Sequence, residues 1–141
     1  MVLMPRRVKY RKSQRGKSRG IAIRGSHLTF GEFGLKALDN GLIKNTQIEA
    51  CRVAVARKLR GAGKFWIRIF PHKPITKKPA ETRQGKGKGD LAGWVAVTRR
   101  GAIVFELGGI PEEFARQICR LLAFKLPIRM RFVSRSGIGG H

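Results

Sequence analysis

The stretch from Phe70 to Leu91 constrains the fold more than any other, because it joins two apolar runs without an apolar pattern of its own. Phe65–Phe70 precedes it and Trp94–Val97 follows it, so both of its ends are attached to predicted strands. A connection of about twenty residues without its own secondary structure is either functional or disordered. Its attachment to two strands favours a functional arm.

The composition of this stretch suits contact with phosphates. Its prolines fix φ and favour extended backbone, which stiffens the outgoing limb. Gly85–Gly89 alternates glycine with lysine, so that bare N–H groups and ammonium groups can approach one phosphate together. Two extended limbs of about ten residues each reach at most about 30 Å. We therefore predict an arm that touches nucleic acid.

The large net positive charge also predicts a polyanionic partner. The chain has 141 residues, enough for one domain, with 31 Lys and Arg against 8 Asp and Glu and a net charge of +23. Nucleic acid is the first candidate partner and an anionic membrane surface the second. No apolar run has the length of a membrane span, and we expect no secretory signal. Two isolated cysteines, Cys51 and Cys119, indicate a reducing compartment and core thiols.

Three segments differ in composition: a basic arm (1–24), an α+β globular domain (25–134) that contains the long loop 71–91, and a Gly-rich tail (135–141). The arm has no acid and little apolar pattern, so it is either a solvated mobile tail or, as the basic remainder of the chain favours, an arm that orders on RNA. Its basic residues are Arg6, Arg7, Lys9, Arg11, Lys12, Arg15, Lys17, Arg19 and Arg24.

Two helices are predicted. The first opens at Thr46 with a Thr-x-x-Glu capping box ending at Glu49, and Gly61 caps its end. The second starts at Pro111 in the first helical position and ends before Pro127. Each has one apolar stripe: Ile48, Cys51, Val55 and Leu59 in the first, and Phe114, Ile118, Leu121 and Leu122 in the second.

The remaining elements are predicted strands. Two short strands are expected within residues 21–33, one over Phe65–Phe70 and one over Ile128–Ser134. Residues 92–98 and 102–107 flank Arg99-Arg100-Gly101, which predicts a hairpin with Gly101 at positive φ. The predicted fold is therefore α+β, with two helices packed on one face of a mixed or antiparallel sheet.

The sequence contains no recognisable catalytic motif. Gly61-Ala62-Gly63-Lys64 suggests a phosphate loop, but Lys58 and Phe65 stand where that motif needs Gly and Ser or Thr. The three histidines and eight acids are dispersed. We predict no catalytic residue, no metal, no cofactor and no small-molecule substrate.

Longer motifs carry a resemblance to a known family. In order along the chain they are Pro5–Lys12, Gln47–Ala50, Gly63–Pro71, Lys73–Pro79, Arg83–Gly89, Gly109–Glu113 and Lys125–Ile128. Together they resemble the bacterial branch of the L-sixteen family of large-subunit ribosomal proteins over nearly the whole chain. Two departures are Gln84, where Met is usual, and a longer, more Gly-rich tail after Ser134.

The resemblance implies an α/β-hammerhead fold and a place on 23S rRNA in the 50S subunit, among neighbouring ribosomal proteins. It implies that the loop from Pro74 to Gly89 points towards the peptidyl transferase region and the A- and P-site tRNAs. It also implies a need for the protein in late assembly and A-site tRNA accommodation. The location would be the cytoplasmic ribosome, with an organellar ribosome left open, and Arg83 corresponds to an arginine that is hydroxylated in some members.

The predicted contact residues follow from both lines of reasoning. For rRNA they are the basic residues of the arm together with Arg57, Arg60 and Arg68, and for the tRNA side of the loop they are Lys77, Lys78, Arg83, Gly85, Lys86, Gly87, Lys88 and Gly89. Two alternatives are a free nucleoid or single-strand binding protein and a cationic membrane-active protein. A single-strand binder needs exposed aromatic residues, whereas most Phe residues here fall on apolar stripes.

Overall fold

A computed structural model describes residues 4–5, 20–22, 25–77 and 90–135. Its elements are β1 (Phe33–Ala37), β2 (Gly41–Lys44), α1 (Asn45–Leu59), β3 (Lys64–Ile67), β4 (Lys73–Lys77), β5 (Asp90–Thr98), β6 (Ile103–Gly108), α2 (Glu112–Lys125) and β7 (Met130–Ser134). The predicted α+β class is confirmed. Residues 1–3, 6–19, 23–24, 78–89 and 136–141 lie outside the described residues, and with them all nine basic residues of the predicted N-terminal arm.

The strands form two antiparallel sheets, with orders β3-β6-β1-β7 and β2-β5-β4. The predicted hairpin of β5 with β6 is therefore wrong, although Gly101 does have a positive φ of 93°. The N–H of Gly101 donates to the carbonyl of Ala37 at the end of β1 (2.7 Å). Because of this bond the chain after Gly101 runs beside β1, so the turn connects β5 in the smaller sheet to β6 in the larger sheet.

The two strands predicted within residues 21–33 are wrong for the described part of that range. Ile21 makes a single bridge to Arg100, and the first strand begins only at Phe33. We call residues 25–32 the cover segment, because they cross the outer face of β6. The N–H of Ile103 donates to the carbonyl of Gly25 (2.7 Å), and the N–H of Glu32 donates to that of Leu107 (3.0 Å). The segment is thus attached to β6 at both ends.

Helix α1 begins one residue before the predicted start and uses a different cap. The Gln47 side-chain oxygen accepts from the N–H of Lys44 (2.9 Å), whereas Glu49 forms an ion pair with Arg52. The predicted capping box is therefore wrong, because Gln47 rather than Glu49 occupies the N3 position. At the other end Arg60 takes a left-handed conformation (φ 50°), and Gly61 follows it at φ 81°.

Helix α2 follows Pro111, which is its N-cap and not its first helical residue. Glu112 and Glu113 lie in the first turn, at the positive end of the helix dipole, and the helix ends at Lys125, before Pro127. The predicted stripe of α1 is confirmed, since Ile48, Cys51, Val55 and Leu59 are buried. The predicted stripe of α2 is confirmed only at Ile118 and Leu122, because Ala115 and Cys119 are buried while Phe114 and Leu121 are only partly buried.

The core lies between the two helices and the inner face of the larger sheet, and it also includes Ile43 and Ala96 of the smaller sheet. Phe105 is its largest fully buried side chain. All six residues of β6 are buried, because the helices cover one face and the cover segment the other. Gly34 on β1 shows how closely the segment approaches, since a Cβ there would lie 2.6 Å from Leu28. Strand β3 is shorter than predicted, although the Arg68 N–H still donates to the Val104 carbonyl (2.9 Å).

Candidate nucleic-acid interface

The carboxyl end of α1 presents a cluster of exposed basic side chains, Arg57, Lys58 and Arg60. The first two lie in the last helical turn, where cations complement the negative end of the helix dipole. Within the described part of the chain, none of the three has an acidic partner. Their charged ends are therefore available to an external anion.

The outer face of the larger sheet carries a second basic pair. Lys36 on β1 lies directly opposite Arg131 on β7, and Arg131 is exposed. Like charges placed directly opposite each other on neighbouring strands destabilise the pairing. A bound polyanion would remove that repulsion, so this pair also favours a nucleic-acid partner. Sequence reasoning did not select Lys36, because its opposition to Arg131 depends on the strand register.

A third basic region lies near the turn between β1 and β2, where Asp39 and Asn40 accept hydrogen bonds from arginines. Arg129 donates two hydrogen bonds to the Asp39 carboxylate, both 2.8 Å long, and the bond to the Arg129 side chain lowers the pKa of Asp39. The N–H of Arg100 donates to the side-chain oxygen of Asn40 (2.7 Å), while the Arg99 and Arg100 side chains are exposed. The turn residues thus fix the backbone from which these two arginines project.

Arg68 differs from the other predicted rRNA-binding residues, because the fold already engages its charge. Its side chain is 17% exposed, and the guanidinium donates to a Glu106 oxygen at 2.5 Å and to the carbonyl of His27 (3.1 Å). It also lies over the ring of Phe30, 5.5 Å from the centroid. Among the described residues it therefore has a structural partner that Arg57 and Arg60 lack.

Glu106 is the centre of that arrangement, with a side chain that is 0% exposed. One carboxylate oxygen accepts from the N–H groups of Thr29 (3.0 Å), Phe30 (2.9 Å) and Gly31 (2.9 Å). Burial by itself raises the pKa of Glu106, but the hydrogen bonds from Gly31, Arg68, Phe30 and Thr29 outweigh it, so the pKa is lowered. The sequence contained one signal of this residue, a single acid inside the apolar run of β6.

Beside this arrangement lies an open cleft of about 430 Å³, which we call the Phe30 cleft. Its walls are formed by Phe30–Glu32 of the cover segment, the turn Gly61–Lys64, Trp66 and the turn Gly108–Gly109. Gly61–Lys64 leads into strand β3 and not into a helix, which agrees with the rejection of a phosphate loop. Glu106 positions one wall, because it binds the backbone of Phe30 and Gly31.

The base of the predicted long loop is a two-stranded ribbon. Strand β4 pairs with β5 from Lys73 opposite Val95 to Lys77 opposite Asp90, so ordered strands extend into the range predicted as loop. Pro74 is tolerated because β4 lies at the edge of its sheet, where a missing N–H costs no ladder hydrogen bond. Lys77 ends the described part of the ribbon. Lys78, Arg83, Gly85, Lys86, Gly87, Lys88 and Gly89 lie outside the described residues.

The two cysteines are not reactive at neutral pH in the described structure. Burial raises the pKa of Cys51 to about 11 and that of Cys119 to about 12, so both remain protonated thiols at neutral pH. Within those ranges no three His, Cys, Asp or Glu side chains are grouped so that they could hold a metal ion. The helices described there are all too short or too polar to cross a membrane.

Comparison with known proteins gives a consistent result over nearly the whole chain. The family model for ribosomal protein L16p/L10e matches residues 5–133. The large ribosomal subunit protein uL16 of Methylacidiphilum infernorum is 58% identical over 135 residues, which cover 96% of this chain and 94% of the relative. The protein of the same name from Thermosipho melanesiensis is 55% identical over 140 residues, 99% of each chain.

Proposed function

Because the chain belongs to the L16p/L10e family of ribosomal proteins, we propose that it binds 23S rRNA and helps to position A- and P-site tRNA near the peptidyl transferase centre. It is a structural constituent of the large ribosomal subunit. The proposal further includes a role in late subunit assembly, contacts with neighbouring ribosomal proteins, and no catalytic activity of its own.

One observation carries the rRNA part of this proposal: most of the positive charge has no intramolecular counter-charge. With 31 basic residues and 8 acids, 31 − 8 = 23 positive charges remain without a counter-charge even if every acid neutralises one. Asp39, Glu49, Glu106 and Glu112 each already pair with an arginine. RNA in a subunit is bound largely through phosphates, 2′-hydroxyls and shape, for which dispersed Lys and Arg suffice.

The rRNA part is tested by the salt dependence of binding. Neutralising Z phosphates gives a slope of log K against log salt of about −0.7Z to −0.9Z. Deleting residues 1–24, which include nine Lys and Arg, should flatten that slope by several units, since each lost contact removes part of the counterion release. Circular dichroism should show that the helices remain folded. An unchanged slope contradicts a role for the N-terminal arm.

The tRNA part rests on the ribbon of β4 and β5, whose far end leads into loop residues 78–89. Replacing Arg83, Lys86 and Lys88 by Ala removes three of the positive charges in that loop. We expect the melting temperature of the free protein to stay unchanged within error. In reconstituted 50S subunits the same variant should slow A-site tRNA accommodation or impair late assembly.

A matched control lies in the same loop. Thr82→Ala with Gln84→Ala shortens two neighbouring side chains without changing the charge, so it should leave accommodation at the wild-type rate. Normal assembly and wild-type accommodation in the triple variant would contradict the proposed role of the loop. The rRNA-binding part would stand or fall separately on the salt-dependence experiment.

A further inference from the structure

We propose that the Phe30 cleft binds one unpaired guanine base of an RNA strand, an inference that rests on the RNA-binding function proposed above. The cleft volume of about 430 Å³ lies within the range of small-ligand sites, about 300–1,000 Å³. Single-stranded loops and bulges are the parts of RNA whose bases proteins read, because their bases are unstacked and can enter such a site.

The stacking surface is the ring of Phe30, which is 57% exposed. It stacks on Trp66 with ring centroids 6.1 Å apart and an interplanar angle of 21°, and Arg68 lies 5.5 Å from its centroid. These two contacts leave more than half of the Phe30 surface exposed, so part of the ring is accessible to a base.

The edge of the base would be read by Glu32, which lies two residues after Phe30 and also lines the cleft. Among the described residues Glu32 is an exposed carboxylate without a hydrogen bond or ion pair, whereas Asp39, Glu49 and Glu106 are each bound to an arginine. Two carboxylate oxygens accept two parallel N–H donors. Guanine offers two on its Watson–Crick edge, at N1 and N2, while the other three bases offer one N–H position there.

Basic groups at the rim supply the charge that the attached phosphates need. Lys64 lines the cleft and is exposed, and the exposed Arg60 directly precedes the lining residue Gly61. Two of the lining glycines are closely packed: a Cβ on Gly108 would lie 3.2 Å from the Trp66 ring, and one on Gly63 would lie 2.7 Å from Ile110. The cleft thus combines a stacking face, an acceptor for a base edge and cations for phosphates.

The experiment uses the full chain and a short RNA hairpin that carries one bulged guanine. Four companion hairpins carry adenine, cytosine, uracil or an abasic nucleotide at the bulge, so all five have the same number of phosphates. Dissociation constants are measured by fluorescence anisotropy at one fixed KCl concentration. We expect the guanine hairpin to bind about tenfold more tightly than the abasic one, as expected from stacking of a single base.

Variants separate the two contacts. Phe30→Ala should give all five hairpins the same affinity, and Phe30→Tyr should restore the difference. Glu32→Gln should remove the preference for guanine over adenine but keep the preference for any base over the abasic nucleotide. The control is Phe124→Ala, since Phe124 is 84% exposed on α2 and does not line the cleft. It should bind like wild type, and circular dichroism should show that every variant is folded.

The outcomes are distinguishable. If wild type binds all five hairpins equally, the base site is refuted while RNA binding stands. If wild type binds none of them, the proposed RNA-binding function fails together with the site. Equal losses in Phe30→Ala and Phe124→Ala also refute the site, because they would reflect general apolar contact and not the cleft.

Discussion

Glu106→Gln should destabilise the protein and release the cover segment, although the substitution changes neither the size nor the shape of the side chain. The carboxylate accepts three backbone N–H groups from the cover segment and pairs with Arg68. An amide oxygen can still accept these bonds, but without charge, and its NH₂ group faces a guanidinium. Loss of a partner from a buried ion pair costs about 3–5 kcal/mol. We expect about 3 kcal/mol, since Arg68 is 17% exposed and keeps some contact with water.

The pH dependence gives this prediction a sign. The folded-state pKa of Glu106 lies below its ordinary value of 4.5, so the unfolded chain takes up a proton first as the pH falls. The contribution of Glu106 is therefore fully present above pH 4.5 and is lost as the pH falls through the folded-state pKa. The difference in unfolding free energy between wild type and Glu106→Gln should be largest at neutral pH and shrink in acid.

The assay is urea unfolding followed by tryptophan fluorescence at several pH values, with amide hydrogen exchange at Thr29 and Gly31. Those two amides should lose protection in the variant before the core does, because their acceptor is weakened. The control is Glu112→Gln, since Glu112 pairs with Arg116 on the exposed side of α2. It should change the unfolding free energy by no more than about 0.5 kcal/mol. The reasoning would be refuted if Glu106→Gln changed the unfolding free energy as little as Glu112→Gln, or if its effect did not depend on pH.

Three further predictions concern other parts of the fold. Cys51→Ala or Cys119→Ala should lower the free energy of unfolding in urea by about 1–2 kcal/mol. Neither thiol should react with a thiol reagent at neutral pH until the protein unfolds, because burial raises the pKa of both. Rapid labelling of the folded protein would contradict this. Arg60→Gly should raise the free energy of unfolding by up to about 1 kcal/mol, because glycine adopts the left-handed conformation of this position (φ 50°) without strain. The same substitution should weaken RNA binding, and tighter binding would argue against an RNA contact at Arg60. Gly31→Ala should cost about 1–3 kcal/mol, because its Cβ would lie 2.4 Å from the carbonyl of Leu107, and an unchanged urea midpoint would count against this packing.

Local sequence patterns determined much of this protein. The apolar stripe of α1, half of the stripe of α2, the final strand and the positive φ of Gly101 depend on neighbours within a few residues, so periodicity and turn chemistry predicted them. The charge excess depends on composition alone and pointed to a polyanion. The family motifs in the sequence extended that inference to a ribosomal protein, and the family match agrees.

The tertiary structure decided what depends on distant contacts. Strand β5 joined one sheet and β6 another because the turn between them bonds to the end of β1, which no local pattern encodes. Arg68 looked like one more basic surface residue, yet it meets Glu106, 38 positions along the chain. Glu106 in turn binds Thr29, Phe30 and Gly31, 75 to 77 positions away. A buried charge is stable only where such partners converge, and it is the folded chain that brings them together.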